Sequence, residues 1–248
     1  MRHSSHMLIS MRGALRSLLL LVLSCAPQPI PGVVRAAPGA PPLESLPGPM
    51  AGFGPFDSYS DALIAACPLI LSKPHATVGH IQDRDMALRV SSEYCAWVYY
   101  TPDDKYEMSM LTDQSDPGGV VNGMRTCRLA SFVDDRRYHP SNLKYVFAVH
   151  NHPFGGPLSR DDMRNIIALA NYHEWVVHTK EGSVPLAIVA FFSRSTDPAA
   201  PTCDGFYQYT PDTRTLEEWS HLPDRWLRKK IGTVTWIDAT HYRLDLDS

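Results

Sequence analysis

The chain has 248 residues, of which 44% are hydrophobic and 20% charged, enough to bury one good-sized core once its ends are set aside. Its formal net charge of -3 and pI near 6.4 leave no basic footprint for nucleic acid and no polybasic patch for an anionic membrane surface.

Arg12 and Arg16 precede the apolar run Leu18–Leu23, which is too short to span a bilayer. Basic residues, a short apolar core and small residues describe a secretory signal, so residues 1–25 read as an export segment. Two processing routes fit. Val22-Leu-Ser-Cys25 resembles a bacterial lipobox, in which a lipidated Cys25 would attach the chain to a membrane. Ordinary cleavage near Ala36 or Ala37 would instead release a secreted protein. Residues 26–55, rich in Pro, Ala and Gly, read as a tether that buries little, with the fold beginning near Phe56. Beyond Cys25, an even set remains, Cys67, Cys95, Cys127 and Cys203. In an oxidising compartment these form two disulfides in any of three connectivities, or stay as buried thiols.

Asp57–Asp61 supplies caps for a helix over Ala62–Leu71 that Pro68 kinks or ends. Tyr94–Tyr100 reads as a strand with a hairpin partner over Tyr106–Leu111, and Asp113–Gly123 as a loop. Lys144–Val149 is a central strand running directly into His150, and Ser159 opens a helix whose apolar stripe falls at 163, 166, 167 and 170. Val184–Phe192 is another buried strand. Residues 196–248 read as a small α+β extension with a helix about Thr215–Lys230 and strands over Thr233–Ile237 and Tyr242–Leu246. The expected class is α/β, a mixed sheet flanked by helices.

The chemistry concentrates in His150-Asn-His152-Pro153 and Ser159-Arg-Asp-Asp162. Histidines at i and i+2 leaving a strand present both imidazoles on one side. Asp162, one turn into the following helix, can fold back toward them. Two neutral imidazoles and a carboxylate suit Zn2+ and leave a fourth position open for a metal-activated water. The bland reading of Ser159 and Asp162 is a helix capping box, which is compatible with the metal role.

These residues resemble the JAMM (JAB/MPN-type) zinc metallopeptidases, whose pattern is a distant Glu followed by His-x-His-Pro and Ser-x-x-Asp; His150–Pro153 is nearest the bacterial RadC-like branch. The specific match is confined to residues 93 and 150–162. It implies a JAB/cytidine-deaminase-like sandwich over 56–195, with His150, His152 and Asp162 as zinc ligands. Glu93, ahead of an early strand, becomes the general base, and Ser159 an oxyanion donor. Six residues separate His152 from Ser159, where the family usually has seven. Asp161 therefore stands beside Asp162 as a second choice of ligand, although Asp162 keeps the Ser-x-x-Asp spacing.

The implied activity is exported, zinc-dependent hydrolysis of a peptide or isopeptide bond in a peptide or protein substrate. The alternative is a catalytically silent JAB-like binding module in a cell-envelope complex. The sequence does not define an oligomeric state.

Overall fold

The computed structural model describes residues 29–37, 39–114, 120–121, 124–222 and 225–247; the export segment with Cys25 lies outside them. A compact unit covers Gly32–Ser248. Its N-terminal strands are β1 (Val33–Val34), β2 (Ser45–Gly48), β3 (Cys95–Tyr100), β4 (Tyr106–Met108), β5 (Leu111–Thr112), β6 (Val120–Val121), β7 (Met124–Arg125) and β8 (Phe132–Asp135). There follow β9 (Lys144–Asn151), β10 (Val176–Thr179), β11 (Gly182–Pro185) and β12 (Ala187–Phe192). The last are β13 (Gly205–Thr210), β14 (Thr215–Leu222), β15 (Arg225–Trp236) and β16 (Tyr242–Leu246). The helices are α1 (Tyr59–Leu71), α2 (Arg84–Val90) and α3 (Arg160–Tyr172).

The class is α/β, and one mixed sheet dominates, in the order β1-β5-β3-β9-β12-β13-β14-β15-β16, with β4 also paired to β3. Strands β3 and β9 run antiparallel, while β9 and β12 run parallel, joined by a crossover through α3 and the β10–β11 hairpin. Both β3 and β9 carry apolar side chains toward both faces, as expected of strands covered on two sides. On one face Trp97, Ala148 and Ala190 meet Met163, Ile166 and Ala170 from the apolar stripe of α3. Helix α1 starts at Ser58, whose hydroxyl accepts from the Asp61 N–H at 3.1 Å, and it continues through Pro68 to Leu71.

Two expectations are overturned. The helix expected about Thr215–Lys230 is the antiparallel pair β14–β15. Cross-strand chemistry decides this: Glu217 faces Lys230 and Glu218 faces Lys229 in register, Arg228 pairs with Glu217, and the Arg228 guanidinium lies over Trp219. Strand β13 pairs with β12 from Gly205 to Tyr209, so the C-terminal region continues the central sheet and is no separate layer. The fold also begins well before Phe56. Strand β2 pairs in parallel with β8, and Leu46, Met50 and Phe53 are buried. The apolar residues scattered among the prolines of that segment are what bury it.

Two disulfides settle the connectivity. Cys67–Cys203 ties α1 to the segment before β13, and Cys95–Cys127 ties β3 to the segment after β7. Beneath β8, the buried carboxylates of Glu107 and Asp135 both pair with Arg137. Among the described residues no helix is long and apolar enough to cross a membrane.

The fully buried Leu46 gives a direct test of the early start of the fold. Leu46→Ala should destabilise the protein by about 2–5 kcal/mol in urea unfolding, the usual cost of truncating a core leucine. A change near zero would mean that residues 45–53 add nothing to the core.

Candidate metal centre

Strand β9 ends at His150-Asn151, at the carboxyl end of a parallel pair, where a crossover leaves a crevice in α/β sheets. His150 and His152 continue the alternation from Ala148 and so lie on the α3 face of the sheet. The extended course is held past the strand end because the His152 N–H donates to the Phe191 carbonyl at 2.9 Å. Gly155, at φ +70°, then turns the chain so that the Gly156 carbonyl accepts from His152 Nδ1 at 2.7 Å. With its Nδ1 committed to a carbonyl, His152 turns Nε2 into the site, the arrangement typical of a ligating histidine, and His150 Nε2 faces it.

Asp162 completes the set from α3. The helix opens with a capping box: Ser159 Oγ accepts from the Asp162 N–H at 3.1 Å, and an Asp162 carboxylate oxygen accepts from the Ser159 N–H at 2.7 Å. This fixes the carboxylate facing the histidines. Asp161 turns outward, toward Arg160 and Arg164. The loop between His152 and Ser159 therefore leaves Asp162 as the inward residue. Ser159 is committed to holding Asp162.

The ligand atoms of His150, His152 and Asp162 all lie within 4.8 Å of one another. The two Nε2 atoms are 3.0 Å apart, and the carboxylate oxygens stand 3.7 Å from His150 Nε2 and 3.4 Å from His152 Nε2. Zinc–ligand bonds of ~2.0–2.2 Å at tetrahedral angles require edges of about 3.3–3.6 Å. The donor set thus matches a divalent ion in both chemistry and size.

Glu93 precedes β3 on the same face. Cys95 pairs with His150 in the antiparallel register, which brings residue 93 alongside His152. Its carboxyl interacts electrostatically with His152 and Asp162. Burial pushes its pKa up to about 8; the His152 charge opposes this and the Asp162 charge adds to it. Burial likewise drives His150 down to about 4, with Asp162 resisting, so its imidazole is neutral. Burial also pulls on His152, but the hydrogen bond and charge of Asp162, and then the charge of Glu93, raise it to about 9. Asp162 is buried, yet its two histidine partners hold it well below the ordinary carboxylate range.

Sequence reasoning assigned no role to Asn151, between the two ligands. It is fully buried; its Oδ1 accepts from the Tyr94 N–H at 2.7 Å, and its Nδ2 donates to the Ala76 carbonyl at 2.7 Å and the Ser92 carbonyl at 3.0 Å. One amide thus grips the backbone on both sides of Glu93. Its partners come from distant segments, so local spacing carries no sign of it.

A divalent ion must displace the proton of His152, whose pKa lies above neutrality. Lowering the pH below about 9 should weaken apparent affinity roughly tenfold per unit, with about one proton released per ion from this group. Calorimetry in buffers of differing ionisation enthalpy reads this number, and the Glu93→Gln variant separates any share from Glu93. Affinity independent of pH between 6 and 8 would contradict the electrostatic arrangement. Asn151→Ala, which strands three buried backbone groups, should cost at least about 1–3 kcal/mol of unfolding free energy.

No family model, curated protein or solved structure matches this chain, so its site is read from its own geometry.

Proposed function

We propose that the protein is an exported zinc-dependent hydrolase of peptide or isopeptide bonds, with a JAB-like metallopeptidase fold. The observation that carries the reading is the meeting of Glu93 with the His150, His152 and Asp162 group on one face of the sheet. A carboxylate beside, but outside, a three-ligand set is the arrangement a hydrolytic site requires, because the fourth metal position stays open. The JAMM-like order of these residues in the chain supports the same reading.

Zinc, when bound, would polarise the scissile carbonyl and supply a nucleophile at neutral pH by lowering the pKa of water. His150 and His152 would present neutral Nε2 lone pairs to the ion, with the opposite nitrogen of His152 held by the Gly156 carbonyl. Asp162 contributes the anionic ligand and is aimed by the Ser159 cap. Glu93 takes the proton of the attacking water and returns it to the departing amine. Its elevated pKa in the metal-free site suits a group that must both accept and give a proton near neutrality. The Ser159 hydroxyl lies at the N-terminus of α3, where partial positive charge favours a developing oxyanion.

Two disulfides within the folded unit favour an oxidising compartment, which agrees with the export segment. Extracellular or envelope peptides are then the natural substrates, with lipidated Cys25 as the membrane attachment.

Zinc-loaded protein should cleave members of a peptide and branched-isopeptide library, lose activity to a chelator and regain it with added zinc. Glu93→Gln should lower kcat by ~10²–10⁴-fold while retaining the metal. Unchanged turnover in that variant would sink the mechanism. Zinc binding without hydrolysis across the library would leave the silent binding module in its place.

A further inference from the structure

Strand β9 lies between β3 and β12, and its two ladders end differently. Toward β12 the parallel pairing runs on to Asn151 and Phe191, and the His152 N–H still reaches the Phe191 carbonyl at 2.9 Å. Toward β3 the last backbone pair is Cys95 with His150. One residue further, the Tyr94 N–H meets Asn151 Oδ1 at 2.7 Å, where a β9 carbonyl would otherwise continue the ladder. The same amide donates from Nδ2 to the Ser92 carbonyl at 3.0 Å and to the Ala76 carbonyl at 2.7 Å. A primary amide carries the donor and acceptor of a peptide group, so it can serve as the final rung. Directly paired strands lie about 4.8 Å apart, and an interposed side chain spreads them at that point.

We infer that Asn151 is a positioning residue for Glu93: its side-chain amide replaces the last backbone rung and holds Glu93 clear of the three metal ligands. This rests on the reading of Glu93 as the general base. Residue 93 lies between the two backbone groups that the amide holds, and both it and Asn151 are buried, so neither has room to drift. With the backbone ladder continued by one more pair, Glu93 would stand flush against His152. A carboxylate there would join the two imidazoles and Asp162 and fill the fourth tetrahedral position, as in a structural zinc site. Held off by the amide, it stays outside the group formed by His150, His152 and Asp162. A second segment braces the arrangement. The Val78 N–H donates to the Pro153 carbonyl at 3.1 Å, and the Ser92 N–H to the His75 carbonyl at 3.0 Å. The residue between the two histidine ligands thus sets how far the base stands from them.

The test uses the full mature chain loaded with zinc, as the native protein, Asn151→Ser and Asn151→Gln. The first readout is the crystal structure of each, which requires no substrate. In the native protein the Glu93 carboxylate should stand one water away from the zinc. Serine is too short to span the gap, so in Asn151→Ser the strands should close and the carboxylate should bind zinc directly, at ~2.0–2.2 Å. Asn151→Gln keeps the amide and adds a methylene, so the carboxylate should retreat from the ion. The second readout is turnover. Each variant should lower kcat roughly 10- to 100-fold with zinc content unchanged, the usual result of displacing a reacting group by about 1 Å. Neither variant should add to the loss in Glu93→Gln.

A role confined to stability would leave the carboxylate in place and let the losses of kcat add. A carboxylate that keeps its native position in either variant would therefore overturn the inference, as would additive losses or a native carboxylate already bound to zinc. If Asn151→Ser does not fold, Asn151→Gln carries both readouts. If the carboxylate moves as expected but no peptide is cleaved, the positioning stands and the hydrolase reading fails.

Discussion

The antiparallel register that sets Cys95 opposite His150 is the constraint on which the site depends. It places Glu93 beside His152, brings the Cys95–Cys127 bond to the edge of the centre, and lets the Asn151 amide reach both neighbours of Glu93. A slip of one residue would send every side chain of β3 to the other face and remove the carboxyl from the site. The parallel pairing of β9 with β12 does the complementary work. It supplies the Phe191 carbonyl that holds His152, and its crossover delivers the N-terminus of α3 with Asp162.

Electrostatics explains how such a cluster stays buried without tearing the fold open. Unpaired buried charges are costly, but each charge here has a counterpart. His152 and Asp162 form an ion pair, His150 is neutral, and Glu93 is held largely protonated near neutrality by its surroundings. Asp162 has two duties at once, one oxygen closing the cap of α3 while the carboxylate faces the rings. The helix cap and the candidate metal group are therefore one arrangement. The bland and the functional readings of Ser159 and Asp162 describe the same hydrogen bonds.

What was legible in the sequence was what is local. His150, His152, Ser159 and Asp162 lie within one strand–loop–helix step, so alternation, the capping pattern and the turn chemistry convey their placement. Glu93 was reached only through resemblance, because its place beside His152 is a product of strand pairing. Asn151 acts on backbone groups of distant segments, and no spacing rule reports such contacts. The C-terminal region misled for a related reason: Thr215–Lys230 has charges and apolar residues at intervals that fit a helix, but Glu217, Glu218, Arg228 and Lys230 are satisfied across strands. The open edge of β13 offered a ladder that local propensity does not register. Leu46, Met50 and Phe53 were hidden by the prolines around them.

The three-ligand set and its fourth group differ sharply in how far apart in the chain they originate. His150, His152 and Asp162 are brought together by a single short excursion from β9 into α3, and closing so small a loop costs little chain entropy. Glu93 arrives only when β3 docks on β9, a far longer closure that also needs β5 and the Cys127 segment nearby. Closures of that length are the slow ones, because their loop entropy is spent before the contacts reward it. The group of His150, His152 and Asp162 thus depends on one local step, whereas the full cluster with Glu93 depends on the completed sheet.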